Sequence, residues 1–251
     1  KWESEARGKA HVHVVIIGWG LFDISNKRLF DYDGEKVLAT SPKNISPYLI
    51  DGPDLIISTR SAPICSVPKM SWGNKPTDGG FFLLSEAERT DLIREEPGAA
   101  KWIRLYMGGE DFINNQIRYC LWLQDITPNE LRGLPTVARR IEAIREFRLA
   151  SKAASTRAYA KYPTLFRQIA QPDSDYLAVP EVSSENREYI PMAVVSKEVI
   201  ASNTLQFIPA ASLYHFGILT SAMHMAWMRQ VAGRLKSDYR YSNSLVYNNF
   251  P

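Results

Sequence analysis

The chain is poor in the residue types that most directly announce chemistry. Of its 251 residues only two are cysteine and four are histidine. Cys65 and Cys120 stand far apart in apolar surroundings, without CxxC or Cys/His pairing, which argues against a disulfide framework or a thiolate metal site and predicts two buried thiols in a reducing compartment. No GxSxG elbow, HExxH helix, phosphate-binding loop or GxGxxG turn occurs, so no complete active site of those kinds is present. His11 and His13 share one face of an expected strand, a possible metal pair, but no third ligand of fitting spacing accompanies them, so two ordinary strand histidines are the expected reading. His215 and His224 lie beside or within an apolar helical stretch, where a core or interface histidine is expected. From Val199 to Met228 no residue is formally charged, yet Asn203, Gln206, Pro209, His215 and His224 interrupt the run too often for a membrane span, leaving buried core. No signal peptide is visible, and the opening KWESEARGKA, polar from its first residue, points to Lys1 as a cut point in a longer polypeptide.

What is present is a chain able to bury a core: 45% of its residues are hydrophobic and 23% charged, with a formal net charge of only +3. The distribution of charge says more than its total. Between Arg132 and Arg167 nine basic residues face two acidic ones, a local excess of seven, while Glu86 to Glu96 is acidic. A basic side suits a polyanion.

Along the chain, His11 to Ile17 and Arg28 to Tyr32 read as strands, with Asp33-Gly34 as a tight turn into the next. Ser41 to Gly80 carries six prolines and four glycines, a long structured loop region in which Leu55 to Ser58 is the one strand-like run. Ser85 and Glu88 form a capping box that opens a helix to about Glu96, and Pro97 starts another through Leu105, ended by Gly108-Gly109. Ile117 to Gln124 reads as a strand. Thr127, Pro128 and Glu130 give a second capping box, and the longest helix runs from Thr136 to about Ala154, with Val137, Ile141, Ile144 and Leu149 inward and most arginines outward. Tyr176 to Glu181, Glu188 to Val195 and Val199 to Ile208 are three successive strands, with Ser183 to Asn186 as a hairpin loop. Strands and helices cluster rather than alternate, which predicts an α+β fold of mixed, largely antiparallel strands, several helices and a long Pro/Gly-rich loop region.

The stretch from Ser212 to Ser242 reads as one helix, capped by Ser212, carrying Phe216, Leu219, Met223 and Trp227 and ended by a left-handed Gly233. An extended hook follows, in which Arg234, Lys236, Asp238 and Arg240 alternate with apolar or small residues and so line one face. A solvated edge strand would look the same. Donors and an acceptor in a row are also what reading base-pair edges requires. Likewise Arg140, Arg145, Arg148 and Lys152 on the long helix are either an ordinary solvated face or phosphate ligands.

The runs AHVHVVIIG, DGPDLIISTRSAPICSVPKMSWGNKPTDGGFFLLS, REFRLASKAASTR, QPDSDYLAVPEVSSENREYIPMAVVS and ASLYHFGILTSAMHMAWMRQVAGRLKSDYRYS resemble the MmeI-like DNA methyltransferases over nearly the whole chain. The resemblance implies a parent enzyme that methylates adenine N6 with S-adenosylmethionine. Residues 1–20 would be terminal strands of its methyltransferase core, and 21–251 its DNA target recognition domain. The cofactor-binding glycine motif and the catalytic Asn-Pro-Pro-Phe motif do not occur here; Asn248-Asn249-Phe250-Pro251 is only superficially similar. The chain itself is therefore expected to bind no cofactor or metal and to catalyse nothing. Its expected partners are double-stranded DNA and the preceding methyltransferase domain of the same polypeptide, in a bacterial cytoplasm with no membrane. Family positions matching base-reading residues are Glu181, Asn203, Thr204, Lys236 and Asp238, with Ser183, Ser184 and Arg187 nearby; Arg234 and Arg240 join the phosphate candidates. Two other readings remain: a hydrolase built on a histidine and carboxylates, and a structural module binding a protein through the Pro-rich region.

Overall fold

The computed structural model describes residues 2–3, 11–12, 15–33 and 36–251; His13 and Gly34, and with them the histidine pair and the Asp33-Gly34 turn, lie outside the described residues. In chain order the elements are β1 (Trp2–Glu3), β2 (His11–Val12), β3 (Leu29–Asp33), β4 (Lys36–Thr40), β5 (Ser71–Trp72), β6 (Leu83–Leu84), α1 (Glu86–Glu95), a 3₁₀ stretch (Pro97–Trp102), β7 (Ile103–Met107), α2 (Gly109–Asn114) and β8 (Arg118–Leu121). There follow α3 (Pro128–Arg132), α4 (Pro135–Leu149), α5 (Ala154–Ala158), β9 (Tyr176–Pro180), β10 (Val182–Ser183), β11 (Ala193–Val195), β12 (Ile200–Ala201), β13 (Leu205–Pro209), α6 (Leu213–Leu219), α7 (Ala222–Val231), β14 (Gly233–Leu235), β15 (Asp238–Arg240) and a π-type turn (Asn243–Tyr247). The fold is α+β.

Two four-stranded sheets carry it. In the first, β12-β7-β8-β6, only the β12–β7 pair is parallel. Helices α1 and α4 pack on it over Phe82, Leu121, Val137, Ile141 and Ile144. Both predicted capping boxes are formed: Ser85 with Glu88 opens α1, and Thr127 with Glu130 opens α3. The second sheet, β11-β9-β13-β5, is antiparallel, and all five residues of β9 are buried, as a strand covered on both faces must be. Alternation sends Leu177 and Val179 to one core, with Ile208, Met225 and Met228, and Tyr176 and Ala178 to another, with Leu205 and Phe207. A three-stranded sheet, β10-β15-β14, stands beside the second.

Several expectations are corrected. The helix expected after Pro97 is a six-residue 3₁₀ stretch, and Ile103–Met107 is a strand: its branched and aromatic residues are claimed by pairing with β8. Leu55 to Ser58 is no strand. It belongs to the long loop, whose backbone is laced to the C-terminal turn by Arg60 N to Ser244 O at 2.9 Å, Ile64 N to Asn248 O at 3.0 Å and Asn248 Nδ2 to Arg60 O at 2.8 Å. Asn248 and Asn249 are thus loop anchors. Cys120 is buried as expected, but Cys65 is exposed on that loop.

The helix expected from Ser212 to Gly233 is two. Thr220 Oγ1 bonds back to Phe216 O at 2.8 Å, a hydroxyl competing for the helix's own acceptor, and Ser221 then caps a new helix by accepting from His224 N. The inward face of α7 is His224, Met225, Met228 and Val231, while Met223 is exposed; Gly233 begins a strand rather than a left-handed cap. In α4 the stripe Val137, Ile141, Ile144 continues at helical spacing to Arg148, and Leu149 points out at 52% exposure.

Candidate nucleic-acid interface

Three turns lie along the β10–β15 pair, one at its Glu181–Tyr241 end beside β9 and β13 and two at its opposite end. The first is residues 202–204, between β12 and β13, so Asn203 and Thr204 sit on a turn and not inside the single third strand that was expected. The second is the loop after β10, beginning at Ser184. The third is the tip of the β14–β15 hairpin, Lys236-Ser237. The extended hook is thereby corrected: the chain reverses, pairing Leu235 with Asp238, Arg234 with Tyr239 and Gly233 with Arg240, so the charged residues do not form one continuous row. Lys236 holds φ at 58°, a left-handed value unusual for a residue with a side chain.

Glu181 joins the first of these turns to β15. Its N–H donates to Thr204 O at 3.2 Å, its C=O accepts from Tyr241 N at 2.7 Å, and its Oε1 takes Arg240 Nε and Nη2, each at 2.8 Å. Asp238 Oδ1 accepts from Glu185 N at 3.3 Å. Residues separated by more than fifty positions in sequence are therefore tied by backbone as well as side chains. Beneath them Gln206 on β13 donates to Tyr241 O at 2.9 Å, and His224 Nε2 meets Tyr241 Oη at 2.9 Å. Burial pushes the His224 imidazole down to about 4 and raises the Tyr241 phenol, so both are neutral struts.

The base-reading candidates differ in what they leave open. Lys236 is exposed, Asn203 half-exposed, and no hydrogen bond or ion pair engages either side chain among the described residues. Thr204 is exposed, but its Oγ1 already accepts from Gly109 N at 3.0 Å and pairs with Ser202 Oγ at 2.8 Å. Asp238 keeps a free oxygen and makes no ion pair with Lys236. Glu181 is committed to Arg240, with 18% of its side chain exposed. Ser184 and Arg187 are on the surface, whereas Ser183 is buried at 2% and faces no solvent.

Among the phosphate candidates Arg148 is corrected outright. It is fully buried, and its guanidinium donates to Thr77 O, Tyr162 O, Pro76 O and Leu165 O at 2.7 to 3.0 Å, leaving nothing for a phosphate. Arg140 is partly used, donating to Glu88 at 2.8 Å; that contact and the Ser85 N–H, the larger influence, hold the Glu88 carboxyl below its ordinary value. Arg145 reaches Glu142 only at 3.6 Å, and Lys152 is exposed without an ion pair among the described residues. Arg234 stacks 4.0 Å over Tyr239 and bonds Ser237 O, with most of its donors open.

Of the two described helical histidines, His224 is enclosed by Tyr241 and Phe250, and His215 Nδ1 accepts from Ser212 N and meets Ser212 Oγ at 2.9 Å, closing a capping box at the start of α6. An apolar groove of about 420 Å³ runs between the long loop and α7, past Tyr48, Leu55, Met223 and Trp227. Among the described residues no charged side chain lines it, so they do not fit the sulfonium, ammonium and carboxylate of S-adenosylmethionine. No helix among the described residues is long and apolar enough to cross a membrane.

Residues 51–251 match the family model of the MmeI target recognition domain. The chain belongs to that family. All of it aligns at 41% identity with DNA methyltransferase A of Bacillus subtilis (strain 168), covering 28% of that protein. Its fold superposes on a Type IIL restriction-modification enzyme, MmeI, solved in complex with DNA, with a TM-score of 0.92 and 49% identity over 98% of this chain and 33% of that one. As a member of the MmeI recognition-domain family, the chain thus spans about a third or less of either relative.

Proposed function

We propose that this MmeI-family recognition domain docks in the major groove of double-stranded DNA and sets the register in which a catalytic domain of the same polypeptide methylates adenine N6 with S-adenosylmethionine. The observation that carries the reading is that Asn203, Thr204 and Glu181 at one end of the β10–β15 pair, and Lys236 and Asp238 at the other, stand on turns or strand ends tied to one short sheet, with open amide, ammonium and carboxylate groups of the kinds that pair with base edges. Asparagine suits adenine N6 and N7, lysine guanine O6 and N7, and a carboxylate cytosine N4. Arg145, Lys152 and Arg234 are the phosphate ligands, with Arg140 and Arg240 secondary because each already faces a carboxylate.

In this reading the chain recognises and does not catalyse; methyl transfer, and any cleavage, belong to sequence outside it, in a cytoplasmic bacterial enzyme. Residues 1–20 close the methyltransferase core and 21–251 form the recognition domain. Exposed Ile16 and Trp19, and Leu21 and Phe22 just after them, all before the start of the family match, are suited to burial against the rest of that core.

Titration of the chain with duplex DNA over a range of salt tests the proposal. Binding whose log K falls linearly with log salt is expected; absence of binding at low salt overturns it.

A further inference from the structure

The turn at 202–204 is gripped from two sides by residues with no base-reading role in the scheme above. We propose that Gly73, Gly109 and the Asp111–Arg118 pair are positioning residues that set how sharply the Asn203–Thr204 turn discriminates its base pair. The inference rests on the recognition role just proposed for that turn.

On one side, Gly73 N donates to Leu205 O at 3.0 Å and Asn74 N to Ala201 O at 2.7 Å, so segment 73–74 clasps both ends of the turn. A Cβ at Gly73 would stand 2.2 Å from Ser202 O and 2.6 Å from Ala201 O. On the other side, Gly109 N donates to Thr204 Oγ1 at 3.0 Å, and a Cβ there would stand 2.9 Å from Thr204 O. Neither glycine has a positive φ, so space and not conformational freedom requires it. Asp111 fixes the second clasp. Buried at 3%, it accepts Gly108 N on Oδ2 at 2.7 Å and Arg118 Nε on Oδ1 at 2.7 Å, pinning the 108–109 backbone against Thr204. Ser202 N, donating to Met107 O at 2.8 Å, ties the turn to the same strand end.

Hydrogen bonds to base edges weaken steeply once distance or angle departs from the optimum. A short polar side chain such as Asn203 cannot make up a displacement of its own backbone, so the clasp determines whether its amide meets a base squarely. The chemistry sits on Asn203, and the accuracy sits on residues about one hundred positions earlier.

The test is selection from a randomised duplex library by the chain and by its Asn203→Ala, Gly109→Ala and Asp111→Asn variants. Asn203→Ala identifies the base pair read by the turn. Gly109→Ala and Asp111→Asn are expected to lose about tenfold discrimination at that same pair while the pair read by Lys236 and Asp238 stays as sharp as before. Uniform blurring at every position, or an unchanged profile, overturns the positioning role. If Asn203→Ala alters nothing, base reading by the turn is what has failed, and if the parent chain selects no sequence, the recognition function itself has. Gly73→Ala, whose Cβ would stand 2.2 and 2.6 Å from two backbone carbonyls, endangers folding, so the decision lies with Asp111→Asn, which adds no bulk, and with Gly109→Ala, whose one contact under 3.0 Å is Thr204 O at 2.9 Å.

Discussion

The half of the molecule built on α4 and the half built on β9 and β13 dispose of polar groups in opposite ways. Around α4, Arg148 is enclosed by four carbonyls, Arg140 lies against Glu88, and Arg118 grips buried Asp111. Around β9 and β13, the interior polar groups Gln206, His224 and Tyr241 are neutral, and the charged and amide groups are carried outward on turn tips. A high density of arginine in sequence thus coincides with the half in which Arg148, Arg140 and Arg118 are already engaged, and the half with an uncharged run of thirty residues carries the proposed base-reading surface. Burying a cation is costly unless every donor is met, so a buried arginine needs several chain segments arranged around it, whereas a turn tip needs only a rigid base.

The largest test of this contrast is Arg148→Met. It leaves the carbonyls of Pro76, Thr77, Tyr162 and Leu165 without their donor, and urea denaturation is expected to show a loss of about 3 to 5 kcal/mol. A loss under about 1 kcal/mol would return Arg148 to the surface. Next is pH. His224 titrates near 4 when folded against 6.5 when free, so between those values the unfolded chain takes up a proton that the folded one refuses. Stability should therefore fall as pH drops from 6.5 toward 4, by on the order of 3 kcal/mol, with no contribution above 6.5. His224→Gln should flatten that part of the curve; identical curves would mean the imidazole is not the neutral strut described.

On the recognition side, the double exchange Lys236→Glu with Asp238→Arg should convert a preference for G·C into C·G at one position, a change of about 1 to 3 kcal/mol. Because the two residues form no ion pair in the hairpin, restoration of such a pair is no competing explanation. An unaltered preference in library selection would remove both from base reading. The smallest effect belongs to the outward cations: Arg145→Ala and Lys152→Ala should each shallow the salt slope by about one, equally for all DNA sequences and without loss of stability. A slope that stays put would make them an ordinary solvated face.

Much of this was legible beforehand. Both capping boxes, the long helix, the buried strand at Tyr176–Pro180 and the α+β class follow from local patterns that tertiary contacts did not override. Arg148 was legible too, in retrospect, since 137, 141, 144 and 148 fall on one helical stripe and 149 does not. The strand at Ile103–Met107 was not, because a run as short as Ile-Arg-Leu-Tyr-Met suits either element and only the partner β8 decides. Of the candidate site, the residue types were readable, but not that Lys236 sits at a reversal, since no glycine or asparagine marks that turn.

By itself the sequence determined which chemical groups are available for recognition and which segments bury, because hydrophobic period and capping are properties of neighbours along the chain. Only the tertiary structure decided which polar groups remain free. Whether Arg148 meets carbonyls or solvent, whether Glu181 meets Arg240, and whether Gly109 has room only for a hydrogen beside Thr204 depend on segments tens of residues away brought to hydrogen-bonding or van der Waals distance. That proximity is a matter of three-dimensional packing, which no local pattern encodes.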